Sequence, residues 1–364
     1  MSDLFLNRRK KVLEHALLNS DAFLLTNRKN IRYLTGFNGS FALALFTSSD
    51  NILLVDFRYR EQAKKETEMQ VVEFKNTWLD ALKKIISQRK IKRLSFESTL
   101  SYETFALLSK LKRVELSPLS HLVEKTRALK DREEIEYIKV AVKRAEEAFL
   151  SVRPYIKEGI SEREIAIMLE HEIRKQGADE LPFPVIVASG ENSSMPHWRN
   201  SERILRKGDF ILIDWGAEYK GYYSDMTRTF VLGKPSDRQK HIYEIVNNAR
   251  LEAIKAIRQD KKAKKIDAKA RNLIKQSGYG ENFGHATGHG IGMDVHEFPK
   301  ISVNSEDIIK PGMVFTIEPG IYIEGFGGVR IEDMVLVRED TIEILTSLPR
   351  DLQILQEVPL DINN

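Results

Sequence analysis

The sequence contains no cysteine, and this absence excludes several classes of protein and site. A disulfide scaffold, a thiolate zinc finger and a cysteine nucleophile all need thiols. Any metal site in this chain must therefore use carboxylates and imidazoles.

Long apolar runs are also missing, since no stretch approaches the ~18 residues that span a bilayer. The basic N-terminal segment has no apolar core after it, which indicates an amphipathic helix rather than a signal peptide. We therefore expect a soluble, cytoplasmic protein with no membrane partner.

A strong charge imbalance is absent as well, because 57 basic and 53 acidic residues leave a net charge of +4. The lysine-rich run "KKAKK" (261–265) has no aromatic residues among its lysines, so we interpret it as a solvated face and expect no nucleic-acid partner. Hydrophobic residues make up 42% of the 364 residues. This balance is typical of a globular protein, and the length predicts two domains.

The pattern of predicted elements changes near residue 125. Residues 1–125 alternate strand-like and helix-like segments, which predicts a small α/β domain. The predicted strands of this domain are 22–26, 41–46, 51–57 and 93–97.

Residues 126–364 predict an α+β domain with a largely antiparallel sheet. Asp131 and Ser161 each precede a helical pattern, and each has a glutamate three residues later, as in a capping box. Another helical stretch covers roughly 236–277. The order of two helices and then a strand hairpin occurs twice, which suggests an internal pseudo-repeat.

Two aspartates lie on consecutive predicted strands of "DFILIDWGAEYKGYYSDMTRTF". A turn centred on Tyr219 and Lys220 would place Asp214 directly opposite Asp225, with Cβ atoms ~5 Å apart. Directly opposed like charges destabilise a sheet, so a shared proton, a basic partner or a cation should neutralise them. The alternative is a solvated face, where the repulsion is mild.

Two glutamates and a histidine-rich segment could complete a metal site. Glu318 ends the strand "VFTIE", and Glu332 lies in "GVRIEDMVLV", where a salt bridge to Arg330 is the ordinary alternative. The segment "FGHATGHGIGMDVHEFP" supplies imidazoles, and its glycines would let the backbone pass close to ions. Four carboxylates and one imidazole exceed the needs of one ion but suit two divalent ions. Such ligands suit manganese, cobalt, iron or zinc.

These segments, in this order and spacing, resemble the pita-bread metallopeptidases, which include Xaa-Pro aminopeptidases, prolidases and methionine aminopeptidases. "NIRYLTGFNGS" and "VDFRYREQA" also resemble the N-terminal domain of the aminopeptidase P and prolidase branch. The resemblance covers nearly the whole chain. It implies a catalytic pita-bread domain at 126–364, preceded by the creatinase/prolidase-type α/β domain at 1–125.

The resemblance also implies roles for individual residues. Two divalent ions, manganese or cobalt before zinc or iron, would be held by Asp214, Asp225, His289, Glu318 and Glu332, with Asp225 and Glu332 bridging. Glu318 would shuttle protons, His296 would contact the scissile carbonyl, and His197 would assist near the leaving group. His285 would line the substrate pocket, and Arg330 would order the site. Without the resemblance, His197 and His285 would be interpreted as loop histidines with no function.

The predicted activity is hydrolysis of the Xaa-Pro bond at the N-terminus of peptides, and the family suggests a homodimer. Prolidases that resemble this chain often carry an arginine after "HE-x-P", whereas "HEFPKI" has Lys300. Because lysine cannot bind a carboxylate in a bidentate fork, the sequence favours an aminopeptidase over the alternative, a dipeptidase. A non-catalytic pita-bread binding protein or a metal-free creatinase fits less well, because all five ligand types are present.

Overall fold

The structure is a computed structural model, and it describes residues 2–355. The chain divides into two compact units between Arg127 and Ala128. Each unit is built around its own buried apolar cluster.

The N-terminal unit is a six-stranded mixed sheet with helices between its strands. The sheet order is β4-β3-β2-β1-β5-β6, and the pairs β1–β2 and β2–β3 are antiparallel. Its helices are α1 (Ser2–Ala16), α2 (Arg28–Thr35), α3 (Arg60–Glu66), α4 (Trp78–Arg89), α5 (Tyr102–Leu108) and α6 (Leu122–Arg127). Its strands are β1 (Ala22–Leu25), β2 (Leu43–Thr47), β3 (Asn51–Val55), β4 (Gln70–Glu73), β5 (Arg93–Glu97) and β6 (Glu115–Leu119).

The four strands predicted in this unit are confirmed, but the two edge strands were not predicted. The central strands β1 and β2 are buried along their whole length, so they appear in the sequence as continuous apolar runs. The edge strands β4 and β6 are only partly buried, and β6 contains Pro118. Edge strands tolerate proline and polar residues, which removes the pattern on which prediction depends.

The C-terminal unit combines four long helices with two larger antiparallel sheets. The helices are α7 (Arg132–Val152), α8 (Glu162–Lys175), α9 (Asp237–Lys255) and α10 (Lys264–Gln276). The sheets have the orders β19-β11-β8-β7 and β13-β12-β14-β17-β18, and among the described strands of this unit only the β11–β19 pair is parallel. The strands are β7 (Ile186–Ser189), β8 (Phe210–Trp215), β9 (Glu218–Tyr219), β10 (Tyr222–Tyr223), β11 (Met226–Leu232), β12 (Gly288–Gly290), β13 (Glu297–Ile301), β14 (Val314–Ile317), β15 (Gly320–Ile323), β16 (Gly327–Arg330), β17 (Asp333–Val337), β18 (Ile342–Ile344) and β19 (Gln353–Leu355).

Helix capping and the repeated element order agree with the sequence. Asp131 and Ser161 both form the predicted capping boxes, with Glu134 and Glu164. The helices α7 and α8 precede the hairpin of β8 and β11, and the short strands β9 and β10 form the end of that hairpin next to its turn. The pair α9 and α10 precedes the pairing of β14 and β17, which is extended by β15 and β16. None of the helices within residues 2–355 combines the length and apolarity needed to cross a membrane.

The register of the first hairpin differs from the prediction by two residues. Asp214 pairs with Thr227 rather than with Asp225. The turn is centred on Lys220 and Gly221, which both have positive φ values of 50° and 82°, as a two-residue type I′ turn requires. Because side chains alternate with a period of two, a two-residue shift keeps Asp214 and Asp225 on one face of the hairpin.

Candidate active site

The five candidate ligands lie in or beside strands of the C-terminal unit. Asp214 is in β8, Asp225 directly precedes β11, His289 is in β12, Glu318 directly follows β14, and Glu332 lies between β16 and β17. Ligand atoms of Asp225, His289 and Glu332 are all within 4.8 Å of one another. The Nε2 atom of His289 is also 3.5 Å from Glu318 Oε1. One cluster therefore contains four of the five candidates.

Burial and mutual repulsion strongly perturb the acids of this cluster. Burial raises the pKa of Asp225 well above its usual range, and the charges of Glu332, Asp214 and Glu318 raise it further. Burial also raises the pKa of Glu332 well above its usual range, with Glu318 and Asp214 adding to the effect. The pKa of Glu318 rises to about 7, chiefly because of burial, although Arg330 opposes the shift. The ionised acids therefore need a positive partner.

Two carboxylate oxygens, one in this cluster and one on the fifth candidate, Asp214, have no hydrogen-bond partner within residues 2–355. Asp214 Oδ1 and Glu332 Oε1 are buried and accept no hydrogen bond from the part of the chain that the structure describes. A buried, unpaired carboxylate oxygen is costly, and coordination of a cation removes that cost. These atoms are therefore suited to cation binding.

The imidazole in the cluster is prepared to act as a neutral ligand. Burial lowers the pKa of His289, so its ring is uncharged near neutral pH. Its Nδ1 atom is 3.1 Å from the backbone oxygen of Gly290. A proton on Nδ1 would satisfy this carbonyl and leave the Nε2 lone pair facing Asp225 and Glu318. An imidazole oriented in this way is typical of a metal ligand.

Arg330 links Asp214 to the rest of the cluster. Its Nη2 atom donates to Asp214 Oδ2 at 2.7 Å, and its Nε atom donates to Thr227 Oγ1 at 2.9 Å. Thr227 in turn donates to Glu332 Oε2 at 2.7 Å. The alternative of a direct salt bridge between Arg330 and Glu332 is therefore wrong. Arg330 is linked to Glu332 through the hydroxyl of Thr227, and its guanidinium group forms its salt bridge with Asp214.

A hydrogen-bonded chain connects Arg330 to His285. Arg330 Nη1 donates to the hydroxyl of Tyr322 at 3.0 Å, and that hydroxyl is 2.9 Å from His285 Nε2. Burial lowers the pKa of His285 to about 4, so this ring is neutral. Burial raises the pKa of Tyr322 to about 12, so its hydroxyl keeps its proton and can donate to His285. Tyr322 and Thr227 were not predicted as site residues. Thr227 could have been found, because it lies two residues after Asp225 and therefore on the same face of the strand.

The two other candidate histidines, His296 and His197, lie near the cluster and have exposed side chains. The ring of His296 lies 4.3 Å from that of His289, centre to centre, and its side chain is exposed. Glu297, the next residue, binds Lys130 at 3.0 Å and accepts from the backbone nitrogen of Asp294 at 2.8 Å, which holds the segment in place. His197 is exposed and lies close enough to the site for its charge to lower the pKa of His296.

The glycines on either side of His289 allow close packing of adjacent strands. A Cβ atom on Gly288 would lie 1.9 Å from the backbone oxygen of Thr316, and one on Gly290 would lie 2.0 Å from that of Phe298. These neighbouring strands, β14 and β13, flank β12 in the sheet. A side chain at either position would therefore displace a neighbouring strand of the sheet that carries His289.

A buried ion cluster behind Glu332 supports the site. The carboxylate of Asp333 is fully buried and lies 2.8 Å from Arg228, 2.5 Å from Arg250 and 3.1 Å from Arg350. Burial alone would raise the pKa of Asp333, but the three guanidinium groups outweigh it and lower this pKa. Arg228 also donates to the backbone oxygen of Glu332 at 2.5 Å. The cluster therefore fixes the backbone from which Glu332 projects.

Comparisons with known proteins agree with this site and fold. Residues 136–339 match the model of metallopeptidase family M24, and residues 8–129 match the creatinase/prolidase N-terminal domain. An Xaa-Pro dipeptidase of Pyrococcus horikoshii is 38% identical over 96% of this chain and 99% of its own length. These matches confirm the predicted family resemblance and the predicted pita-bread fold with a preceding α/β domain.

Two solved structures are similar over most of the chain. An Xaa-Pro dipeptidase from Bacillus anthracis has 40% identity and a TM-score of 0.93, and the match covers 96% of this chain and 100% of that one. An X-Pro aminopeptidase from Thermotoga maritima has 41% identity and a TM-score of 0.87, with 93% and 98% covered. The chain therefore belongs to metallopeptidase family M24 and is an enzyme that hydrolyses peptide bonds with the help of divalent metal ions.

Proposed function

We propose that this metallopeptidase is an Xaa-Pro dipeptidase whose catalytic domain is residues 126–364. Two divalent ions would be held by Asp214, Asp225, His289, Glu318 and Glu332. The proposal rests mainly on the buried acids that repel one another beside the neutral imidazole of His289. Two of their carboxylate oxygens, Asp214 Oδ1 and Glu332 Oε1, have no hydrogen-bond partner within residues 2–355. We also propose, on the family resemblance alone, that the enzyme is a cytoplasmic homodimer.

Manganese or cobalt is the proposed metal, because carboxylates with one imidazole suit these ions. Zinc and iron are accepted by the same donors. Divalent ions bound in such a site lower the pKa of water and polarise a carbonyl group. Asp225 and Glu332 would be among the residues that hold both ions. Burial, followed by repulsion from the neighbouring acids, raises the pKa of these two carboxyl groups, and bound cations would stabilise their charged forms.

The protein's own groups supply proton transfer and orientation. Glu318 would take a proton from water and pass it to the proline nitrogen. His296 would contact the scissile carbonyl, and His197 would lie near the leaving group; both side chains are exposed and accessible to substrate. Tyr322 and Arg330 would hold His285 in the wall of the substrate pocket. A pocket shaped to proline is needed because an Xaa-Pro amide has no N–H to grip.

The preference for a dipeptidase departs from the aminopeptidase that the sequence favoured. The dipeptidases from Pyrococcus horikoshii and Bacillus anthracis support this change, whereas the relative from Thermotoga maritima is an aminopeptidase. Lys300 is compatible with this change, because a lysine can pair with a carboxylate through one charge even though it cannot form a bidentate fork. This exposed lysine is the cross-strand partner of His289, and directly opposed residues share a face of the sheet. Its ammonium group can therefore meet the free carboxylate of a short substrate.

Substrate length tests this assignment directly. With manganese, we expect Ala-Pro to be cleaved with at least a tenfold higher kcat/KM than Ala-Pro-Ala, because Lys300 would pair with the C-terminal carboxylate. Lys300→Met should raise KM for Ala-Pro while Lys300→Arg keeps it low. Lys310→Met serves as a matched control on another exposed lysine. Faster cleavage of Ala-Pro-Ala, with no effect of Lys300→Met, would return the assignment to an aminopeptidase.

A further inference from the structure

Glu162 is a fully buried acid that the proposed mechanism does not use. It is the first residue of α8, and its carboxylate accepts six hydrogen bonds. Oε1 accepts from the backbone nitrogen of Ser189 at 2.8 Å, from Ser189 Oγ at 2.7 Å and from Asn192 Nδ2 at 3.0 Å. Oε2 accepts from Trp198 Nε1 at 2.8 Å, from the backbone nitrogen of Ser201 at 3.1 Å and from Ser201 Oγ at 2.7 Å.

All six donors belong to one segment, residues 189–201, which carries His197. Each oxygen of Glu162 binds one end of the segment, because Ser189 and Asn192 lie before His197 while Trp198 and Ser201 follow it. Burial would raise the pKa of Glu162, but these donors outweigh it and lower this pKa, so the carboxylate is ionised. Hydrogen bonds to a charged acceptor are roughly twice as strong as neutral ones.

The opposite side of the segment lies against β16 and Arg330. The backbone nitrogen of Gly328 donates to Ser193 Oγ at 2.8 Å, and a Cβ atom on Gly328 would lie 2.2 Å from the backbone oxygen of Ser193. Arg330 Nη1 lies 3.4 Å from the backbone oxygen of Pro196. The segment is thus held between Glu162 on one side and the Arg330 network on the other.

We propose that Glu162 is a positioning residue: its carboxylate closes the base of segment 189–201 so that His197 is held at the site. This inference rests on the proposed function of His197 near the leaving group. A residue that acts only through His197 has no further effect once that imidazole is gone. A residue that merely stabilises the fold lowers activity independently of His197.

Glu162→Gln tests the proposal, because one amide NH₂ cannot accept the three hydrogen bonds made to the oxygen that it replaces. With Ala-Pro and manganese we expect kcat to fall roughly 100-fold, with a smaller change in KM. Combined with His197→Ala, it should lower kcat by no more than about twofold beyond His197→Ala alone. Glu164→Gln is the matched control, since Glu164 caps the same helix through Ser161 and makes no hydrogen bond to segment 189–201 within residues 2–355. We expect it to change kcat by less than about twofold.

The fluorescence emission of Trp198 is a readout that does not depend on activity. Its emission, isolated as the difference from a Trp198→Phe background, should shift to longer wavelength in Glu162→Gln and stay unchanged in Glu164→Gln. If Glu162→Gln does not fold, Ser201→Ala keeps the carboxylate, removes one donor, and should move kcat and emission in the same direction by less. The proposal is wrong if kcat of the variant with both Glu162→Gln and His197→Ala falls by the product of the two single losses. It is also wrong if Trp198 emission is unchanged in Glu162→Gln. If the wild-type protein cleaves no Xaa-Pro peptide, the proposed function fails, and the emission shift alone decides for or against Glu162.

Discussion

Glu318→Gln is expected to lower kcat for an Xaa-Pro peptide by about a thousandfold or more while the protein stays folded. Glutamine has the size of glutamate, but it cannot take a proton from water. In the metal-free protein the pKa of Glu318 is about 7, well above its ordinary value. Burial is the main cause of that pKa, and the Thr316 hydroxyl and Arg330 limit it.

The measurement is steady-state kinetics with manganese, alongside circular dichroism and thermal unfolding. Glu324→Gln is the control, because Glu324 is an exposed acid between β15 and β16. It should retain at least half of the wild-type turnover. A folded Glu318→Gln enzyme with more than a tenth of wild-type turnover would remove Glu318 from proton transfer.

The metal-free protein is expected to lose stability between pH 6.5 and pH 8.5. A carboxyl whose pKa is higher in the folded than in the unfolded state stabilises the fold while it is protonated, and this stabilisation is lost as the pH rises through the folded value. Glu318 has a folded pKa of about 7 against an ordinary value of 4.5, a difference that amounts to at most about 3 kcal/mol over the whole range, of which about 1 kcal/mol remains to be lost above pH 6.5. Asp225 and Glu332 shift in the same direction.

The histidines give the opposite trend in a lower pH window. The folded pKa of His285 is about 4 against an ordinary value of 6.5, so its contribution to stability grows as the pH rises toward 6.5 and is then complete. Above pH 6.5 the histidine contribution grows little further, so the carboxyl groups dominate the pH dependence of stability there.

Urea unfolding of metal-stripped protein at pH 6.5 and pH 8.5, with and without manganese, measures this effect. Manganese should remove or reverse the loss at pH 8.5, because an ion that binds only the folded state stabilises it. The variant with both Asp225→Asn and Glu332→Gln should show a smaller loss, since two repelling charges are gone. A metal-free wild-type protein that is equally or more stable at pH 8.5 would show that the acids do not repel one another as the structure indicates.

Much of the fold follows from local sequence patterns. Continuous apolar runs predicted the central strands, and the capping boxes after Asp131 and Ser161 predicted where α7 and α8 begin. The register of the first hairpin did not follow, because either of two adjacent residue pairs could have formed the turn. Only the positive φ values of Lys220 and Gly221 decide it. The error was harmless to the site, because a shift of two residues preserves the face.

The composition of the site could be predicted only in part. The acids on adjacent strands were inferred from residue types and spacing, but their convergence with His289 came from the family resemblance. The supporting contacts escaped prediction because their partners lie far apart in the chain. Thr227 bonds to Glu332 and Arg250 to Asp333, and no local periodicity links such positions. Glu162 was hidden for the same reason, since its position at a helix start resembles that of any solvent-exposed acid.

The proposed function depends on the binding of a pair of divalent cations by five side chains. Anomalous diffraction from crystals of the wild-type protein soaked in manganese tests it most directly. We predict two manganese peaks in contact with Asp214, Asp225, His289, Glu318 and Glu332, and the loss of at least one peak in Asp225→Asn. Anomalous maps with no peak among these side chains, from crystals that bind manganese elsewhere or not at all, would contradict the claim.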